Sequence, residues 1–264
     1  MYTFSNEHKI YLKKEKRFKF FVHLTQLLII VLFFLIWELL ANKGIINPFL
    51  YSSPSKINNT IIQLIKDHNL FNHIYITIIE VIISFTIATI IGLIVSTTLW
   101  WNKFLSKVIE PFLTIINSLP KVALGPLIII WAGANIKSII IMSLTISLFI
   151  TIINIYQSFI LTNTNYITLL KSFNASKKDI YLKVILPSNK ENIINALKIN
   201  MSMNFIGVIM GELLVSKKGL GYLIMYGSQV FNITLVMTSI ILLLILSIVL
   251  YQIIEYIGKN MANK

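Results

Sequence analysis

Cysteine is absent from the 264 residues, which excludes a disulfide framework, thiolate chemistry and any metal site built on thiolates. Acid is nearly as scarce. The ten Asp and Glu include no carboxylate pair at a spacing suited to acid–base work, and neither a glycine-rich phosphate loop nor a nucleophile motif occurs. The four histidines, His8, His23, His68 and His73, stand outside the apolar runs or at their edges and form no metal-ligand pair. Charged residues of both signs make up 12% of the chain, against about 25% in soluble domains. Catalysis within the chain, and a cofactor to serve it, are therefore not expected.

What fills the space is apolar. The hydrophobic fraction is 56% and the mean hydropathy +0.79, gathered in long runs, the pattern of an integral membrane protein. A net charge of +13 could suit nucleic acid, but the basic residues lie at the ends of apolar runs. The membrane surface, not nucleic acid, is the partner this implies. Residues 1–23 are polar and basic, and the apolar stretch after them exceeds the core of a signal peptide, with no small-x-small cleavage site behind it. It reads as a retained span.

Six spans are predicted, near residues 24–41, 74–101, 104–131, 139–161, 193–215 and 233–257, with a short tail at 259–264. Of six prolines, Pro111, Pro120 and Pro126 fall in the third run, together with Lys121 and Gly125. A broken span survives only where neighbouring helices or a wet cavity satisfy the freed backbone. With both termini inside, inner segments hold 16 Lys and Arg and outer segments 6, with Lys121 inside a span. The positive-inside rule then places both termini and residues 162–192 in the cytoplasm.

That central segment, within YITLLKSFNASKKDIYLKVILPSNKENIINAL at 166–197, cannot sit in lipid. Ser176 followed by Asp179 reads as an N-cap with an acidic third residue, opening a short helix over 176–185. Ile180, Tyr181 and Val184 share one side of that helix, Asn174 suits a left-handed turn just before it, and Pro187 interrupts it. On pattern alone, a solvated basic loop is the competing reading.

Phe173-Asn174-Ala175-Ser176 and Leu186-Pro187 resemble the EAA loop of ABC-importer permeases, in the branch that carries nitrate, sulfonates, taurine and pyrimidine precursors. PFLYSSPSKI after the first span, SLPKVALGPLIIIWAGA in the third and SKKGLGYLI after the fifth resemble the same family in the same order. Thr168 stands where the family has Glu, and Asn174 where it has Gly. The resemblance implies an all-α permease of the type I importer fold in the bacterial cytoplasmic membrane, six spans with a cytoplasmic coupling helix. It further implies a second permease copy, two cytoplasmic ATPase subunits and an extracytoplasmic solute-binding protein. The solute would be a small anion such as nitrate, a sulfonate or taurine; a pyrimidine or vitamin precursor is the alternative. A self-sufficient secondary transporter is the reading from another class, but it would call for inverted repeats with paired broken helices.

Candidate residues follow. For the coupling loop they are Ser172, Asn174, Ala175, Ser176, Asp179, Ile180, Tyr181 and Pro187. Ala175 and Ser176 are small enough for a partner's backbone to approach, and the Ile180 side would seat in a groove of the ATPase. For the pathway they are Pro120, Lys121, Asn200, Asn204 and Gly207. An intramembrane lysine either lines a cavity or pairs with a carboxylate of another span. Asn200 and Asn204, one turn apart, either join helices or line the pathway. Glu38, Glu80 and Glu212 are expected near the outer ends of their spans, within reach of water.

Overall fold

A computed structural model of the chain describes residues 6–67 and 69–262, so His68, residues 1–5 and residues 263–264 lie outside the described residues. In chain order the helices are α1 (Asn6–Asn42), α2 (Pro48–Tyr51), α3 (Pro54–Lys66), α4 (Leu70–Trp101), α5 (Lys103–Ser118), α6 (Gly125–Ala132) and α7 (Ile136–Ile160). They continue with α8 (Thr164–Ser172), α9 (Lys177–Ile180), α10 (Leu186–Ser188), α11 (Lys190–Val215), α12 (Leu220–Gln229) and α13 (Ile233–Ala262). No strand occurs among the described residues. α1, α4, α7, α11 and α13 are long and apolar enough to cross a membrane. α5 and the segment Lys121–Ala132 make a sixth crossing if taken as one span, though an 84° bend separates them.

The local reasons are legible. Pro48 and Pro54 each open a helix behind an N-cap, Asn47 and Ser53, whose side chains accept backbone N–H groups. Asn135 and Ser138 form a reciprocal cap at the start of α7. Pro111 is accommodated within α5, and the chain turns at Pro120, the N-cap of a short 3₁₀ turn at Lys121–Leu124. No glycine or proline occurs between Asn6 and Asn42, so α1 does not pause at residue 24; its 37 residues reach about 55 Å. Glu38, at the far end of α1, accepts from Asn42 Nδ2 at 3.1 Å and from the backbone N–H of Ser55 at 3.0 Å, so it ties α1 to α3.

α7 lies between α4 and α11, and close backbone approach holds the three together. Lipid tails give helices no hydrophobic reason to associate, so small residues and interhelical hydrogen bonds do this work. A Cβ on Gly207 would stand 2.5 Å from Ser143 Cα, one on Gly211 2.9 Å from Ile139 Cα, and one on Gly92 2.7 Å from Thr151 Cγ2. Ser143 donates to the Asn204 carbonyl at 2.9 Å and Ser96 to the Ile152 carbonyl at 3.0 Å. Leu220, Leu223, Leu243 and Leu246 complete an apolar core where α12 and α13 pack on α11.

Two features depart from the sequence reading. Residues 216–232, read from the sequence only as the link between the fifth and sixth spans, contain α12. Glu80 and Glu212, expected to reach water, are buried, 2% and 1% exposed, in α4 and α11. The reason is the turn that follows α11. Glu212 accepts from Thr77 Oγ1 and from the Gly221 N–H, both at 2.6 Å, while Leu220 N–H donates to Thr77 at 2.9 Å and Gly219 N–H to His73 Nδ1 at 3.0 Å. A Cβ at Gly219, whose φ is +108°, would lie 2.4 Å from the Glu212 carboxyl. The glycines of SKKGLGYLI are there because the carboxyl group fills the space that side chains would need.

Glu212→Ala strands the Gly221 N–H at a cost of about 1–3 kcal/mol and leaves the Thr77 hydroxyl only the longer bond to the His73 carbonyl at 3.2 Å, and Gly219→Ala drives a methyl into the carboxyl group. Both are expected to lower the thermal unfolding midpoint of the purified protein, with Glu212→Gln milder because it keeps one acceptor. A midpoint unchanged in Glu212→Ala would show that the carboxyl group carries no stability.

Candidate functional site

The segment between α7 and α11 is ordered throughout. α8 ends in a turn where Asn174 takes φ +55°, the left-handed conformation Asn tolerates. Its N–H bonds to the Lys171 carbonyl at 2.9 Å, and that of Ala175 to Leu170 at 3.0 Å, as in a helix C-terminal motif. Ser172 is exposed and donates to the Leu169 carbonyl at 2.7 Å. Ser176 then caps α9, accepting the Asp179 N–H at 3.1 Å, while Asp179 pairs with Lys183 at 2.8 Å. The Lys183 ammonium and the Ser176 hydroxyl together hold the Asp179 carboxyl down to a pKa of about 2.

Pro187 does not interrupt this helix. α9 passes into a π turn at Tyr181–Ile185 and then into α10, where Pro187 occupies the first turn. The Leu186 N–H reaches back five residues to the Tyr181 carbonyl, so the widened turn carries the chain past a residue with no N–H to give. The helix ends at Asn189, two residues later. Asn189 is buried and donates to Thr162 Oγ1 at 2.6 Å and to the Ile185 carbonyl at 2.8 Å, tying the end of the loop to its beginning. Sequence reasoning passed over Asn189; its only signal is an Asn just after Leu-Pro-Ser.

The apolar side of the loop faces the bundle, not outward as expected. Ile180 and Ile185 pack with Ile155, Phe159 and Ala196, from α7 and α11, and Ala175 lies against the same cluster. Tyr181 sits among the rings of Trp100, Trp101 and Phe159, at centroid distances of 5.3, 6.1 and 5.9 Å, and its hydroxyl meets Thr97 Oγ1 at 2.7 Å. Lys177 donates to the Trp101 carbonyl and stands over both tryptophan rings. An apolar helix side beside apolar helix ends buries itself there. The side chains left exposed for a partner are Tyr166, Leu169, Phe173 and Leu182, interspersed with Lys178 and Lys183.

Lys121 is at the bend between α5 and α6, beside Pro120, which is exposed. It is half-buried; its Nζ donates to Asn117 Oδ1 at 2.6 Å and to the Ile146 carbonyl at 3.4 Å, and lies 5.9 Å from the Phe149 ring. The ion pairs among the described residues do not include it, so the structural pairing with a glutamate is not what holds it. Asn200, Asn204 and Gly207 do not join it. All three are buried between helices. Asn204 accepts from Ser84 at 2.7 Å, Asn200 donates to Thr89 at 3.0 Å, and Gly207 abuts Ser143. In this arrangement Asn200 and Asn204 join helices and Gly207 allows a close approach.

A chain of the MetNI methionine ABC transporter in its inward-facing conformation matches this fold with a TM-score of 0.62 at 20% identity, covering 74% of this chain and 94% of that one. A probable ABC transporter permease protein of Haemophilus influenzae is 28% identical over 89% of this chain and 95% of its own length. The formylaminopyrimidine transport permease protein ThiX of Halalkalibacterium halodurans is 29% identical over 72% of this chain and 77% of its own. A putative aliphatic sulfonates transport permease protein of Bacillus subtilis, SsuC, is 25% identical over 78% and 75%. Residues 88–263 match the model of the binding-protein-dependent transport system inner membrane component. The chain belongs to that family, as the membrane-spanning permease subunit of an ABC importer.

Proposed function

We propose that the chain forms, with a second copy of itself, the translocation pathway for a small anionic solute, and that residues 162–192 transmit the movement of two cytoplasmic ATPase subunits to the spans. ATP hydrolysis belongs to separate subunits in such importers, and a solute-binding protein delivers the cargo. The observation that carries the coupling role is the loop's double character. One side is fastened into the bundle at Lys177, Tyr181 and Asn189, while Phe173 and Leu182 stand exposed on the other. A surface seated in a partner and anchored to the spans transmits displacement; a slack loop absorbs it.

Lys121 supports an anion. It is a cation at the bend of the broken span, bound only to neutral partners, in a position where charge is costly unless a cavity or cargo uses it. The relatedness to ThiX at 29% identity supports a second reading, a pyrimidine precursor. Both termini lie in the cytoplasm on this account, following the excess of Lys and Arg on the loop side.

Two experiments test these assignments. A cysteine at Leu182 is expected to react with impermeant reagents only from the cytoplasmic side, and Leu182→Glu to weaken ATPase association and abolish uptake while leaving membrane insertion unchanged. Labelling from outside, or association and uptake at wild-type levels in Leu182→Glu, would overturn the orientation or the coupling role respectively. For the pathway, Lys121→Ala is expected to slow anion uptake about tenfold or more while partner-dependent ATP hydrolysis survives, roughly the loss of one charge-assisted contact. Normal uptake by that variant would remove Lys121 from the pathway.

A further inference from the structure

A groove of about 730 Å³ runs beneath the loop, between the ends of α4 and α7, the start of α5, and α8. Its lining includes three lysines, Lys103, Lys171 and Lys177, and no carboxylate. The accessible apolar surface of its floor comes from Trp100, Ile160, Ile167 and Ala175, laid over the buried rings of Tyr156 and Phe159. Lys177 is already engaged with Trp101, whereas Lys103 and Lys171 are exposed and take part in none of the ion pairs among the described residues. α4 ends here in Trp100 and Trp101, the residues that sit at the boundary between hydrocarbon and headgroups.

We propose that this groove binds an anionic phospholipid from the leaflet on the loop side, its phosphate between Lys103 and Lys171 and its upper acyl chain over the apolar floor. The chemistry selects this occupant. An inorganic anion would satisfy the ammonium groups and leave the apolar floor bare to water. A zwitterionic lipid would cover the floor but bring its own cation to a site that already holds three. Only an amphiphile with net negative charge answers both halves, and the bilayer supplies one at this depth. Ala175 and Ile180 are shared between the groove and the packed side of the loop, so an occupant touches the element assigned above to transmission. The binding site itself does not rest on that assignment.

The test uses the permease assembled with its ATPase partners in nanodiscs, with lipid retention read by native mass spectrometry as detergent is increased. The wild type is expected to retain phosphatidylglycerol in preference to phosphatidylcholine. Lys103→Gln/Lys171→Gln is expected to bind phosphatidylglycerol about thirtyfold more weakly, as follows from losing two lysines near the membrane surface. Lys103→Arg/Lys171→Arg should keep the preference, which separates charge from any general effect on folding. Equal retention of the two lipids by the wild type, or unchanged binding in the Gln variant, would overturn the proposal. So would displacement of phosphatidylglycerol by inorganic phosphate, which would make this a site for free anions, or its retention by the permease alone but not by the assembled importer, which would make the groove the seat of the ATPase subunits. Uptake and hydrolysis do not enter this readout, so its failure and that of the coupling role are distinguishable.

Discussion

Close contact of α7 with α4 and α11 is the constraint on which the other features depend. In lipid, three apolar helices have no reason to stay in one register unless something other than burial of oil fixes it. Here Gly92, Gly207 and Gly211 let backbones approach to distances no side chain would allow, and Ser84, Ser96, Ser143 and Asn204 bond across the gaps so created. Each pair of these helices is also hydrogen-bonded, α4 to α7 through Ser96, α7 to α11 through Ser143 and α4 to α11 through Ser84. Filling any of the glycine gaps would force apart a pair of helices that also carries those bonds.

That register decides where the loop lies. α7 delivers Phe159, and the turn just after it Thr162, to one side of it, α4 delivers Thr97, Trp100 and Trp101 to another, and α11 begins directly after Asn189. The loop is thus fixed to all three helices of the central group at once. The clasp at the opposite end, Glu212 with Thr77 and the Gly219–Gly221 turn, fixes the same α4 and α11 again and seats α12 against them. On the proposed coupling role, a displacement of the loop would move these helices as a body.

The spans were legible because a run of 20 or more apolar residues has few other uses, and the start of α9 was legible because Ser176 and Asp179 interact locally. What could not be read is what depends on distant residues. Glu80 and Glu212 are 132 positions apart, and each alone resembles a carboxyl group near a helix end. The inward direction of Ile180 and Tyr181 was hidden for the same reason: periodicity shows that a helix has an apolar side, not which neighbour covers it. Pro187 invited a break that the π turn avoids, and the break moved to Asn189, where a side chain closes the loop on Thr162. Asn200 and Asn204 looked equally suited to a pathway and to joining helices; their bonds to Thr89 and Ser84 of α4 depend on residues 111 and 120 positions away.

The central claim is that the loop moves the spans because Tyr181 and its neighbours fasten it to them. Tyr181→Ala removes the hydroxyl bond to Thr97 and the ring packed among Trp100, Trp101 and Phe159, while leaving Phe173 and Leu182 exposed for the ATPase. The most direct measurement is the number of solute molecules imported per ATP hydrolysed by the reconstituted importer. The account expects this ratio to fall at least tenfold in Tyr181→Ala, with ATPase association and hydrolysis retained, about the effect of losing one half-buried aromatic anchor. A ratio equal to that of the wild type would contradict it.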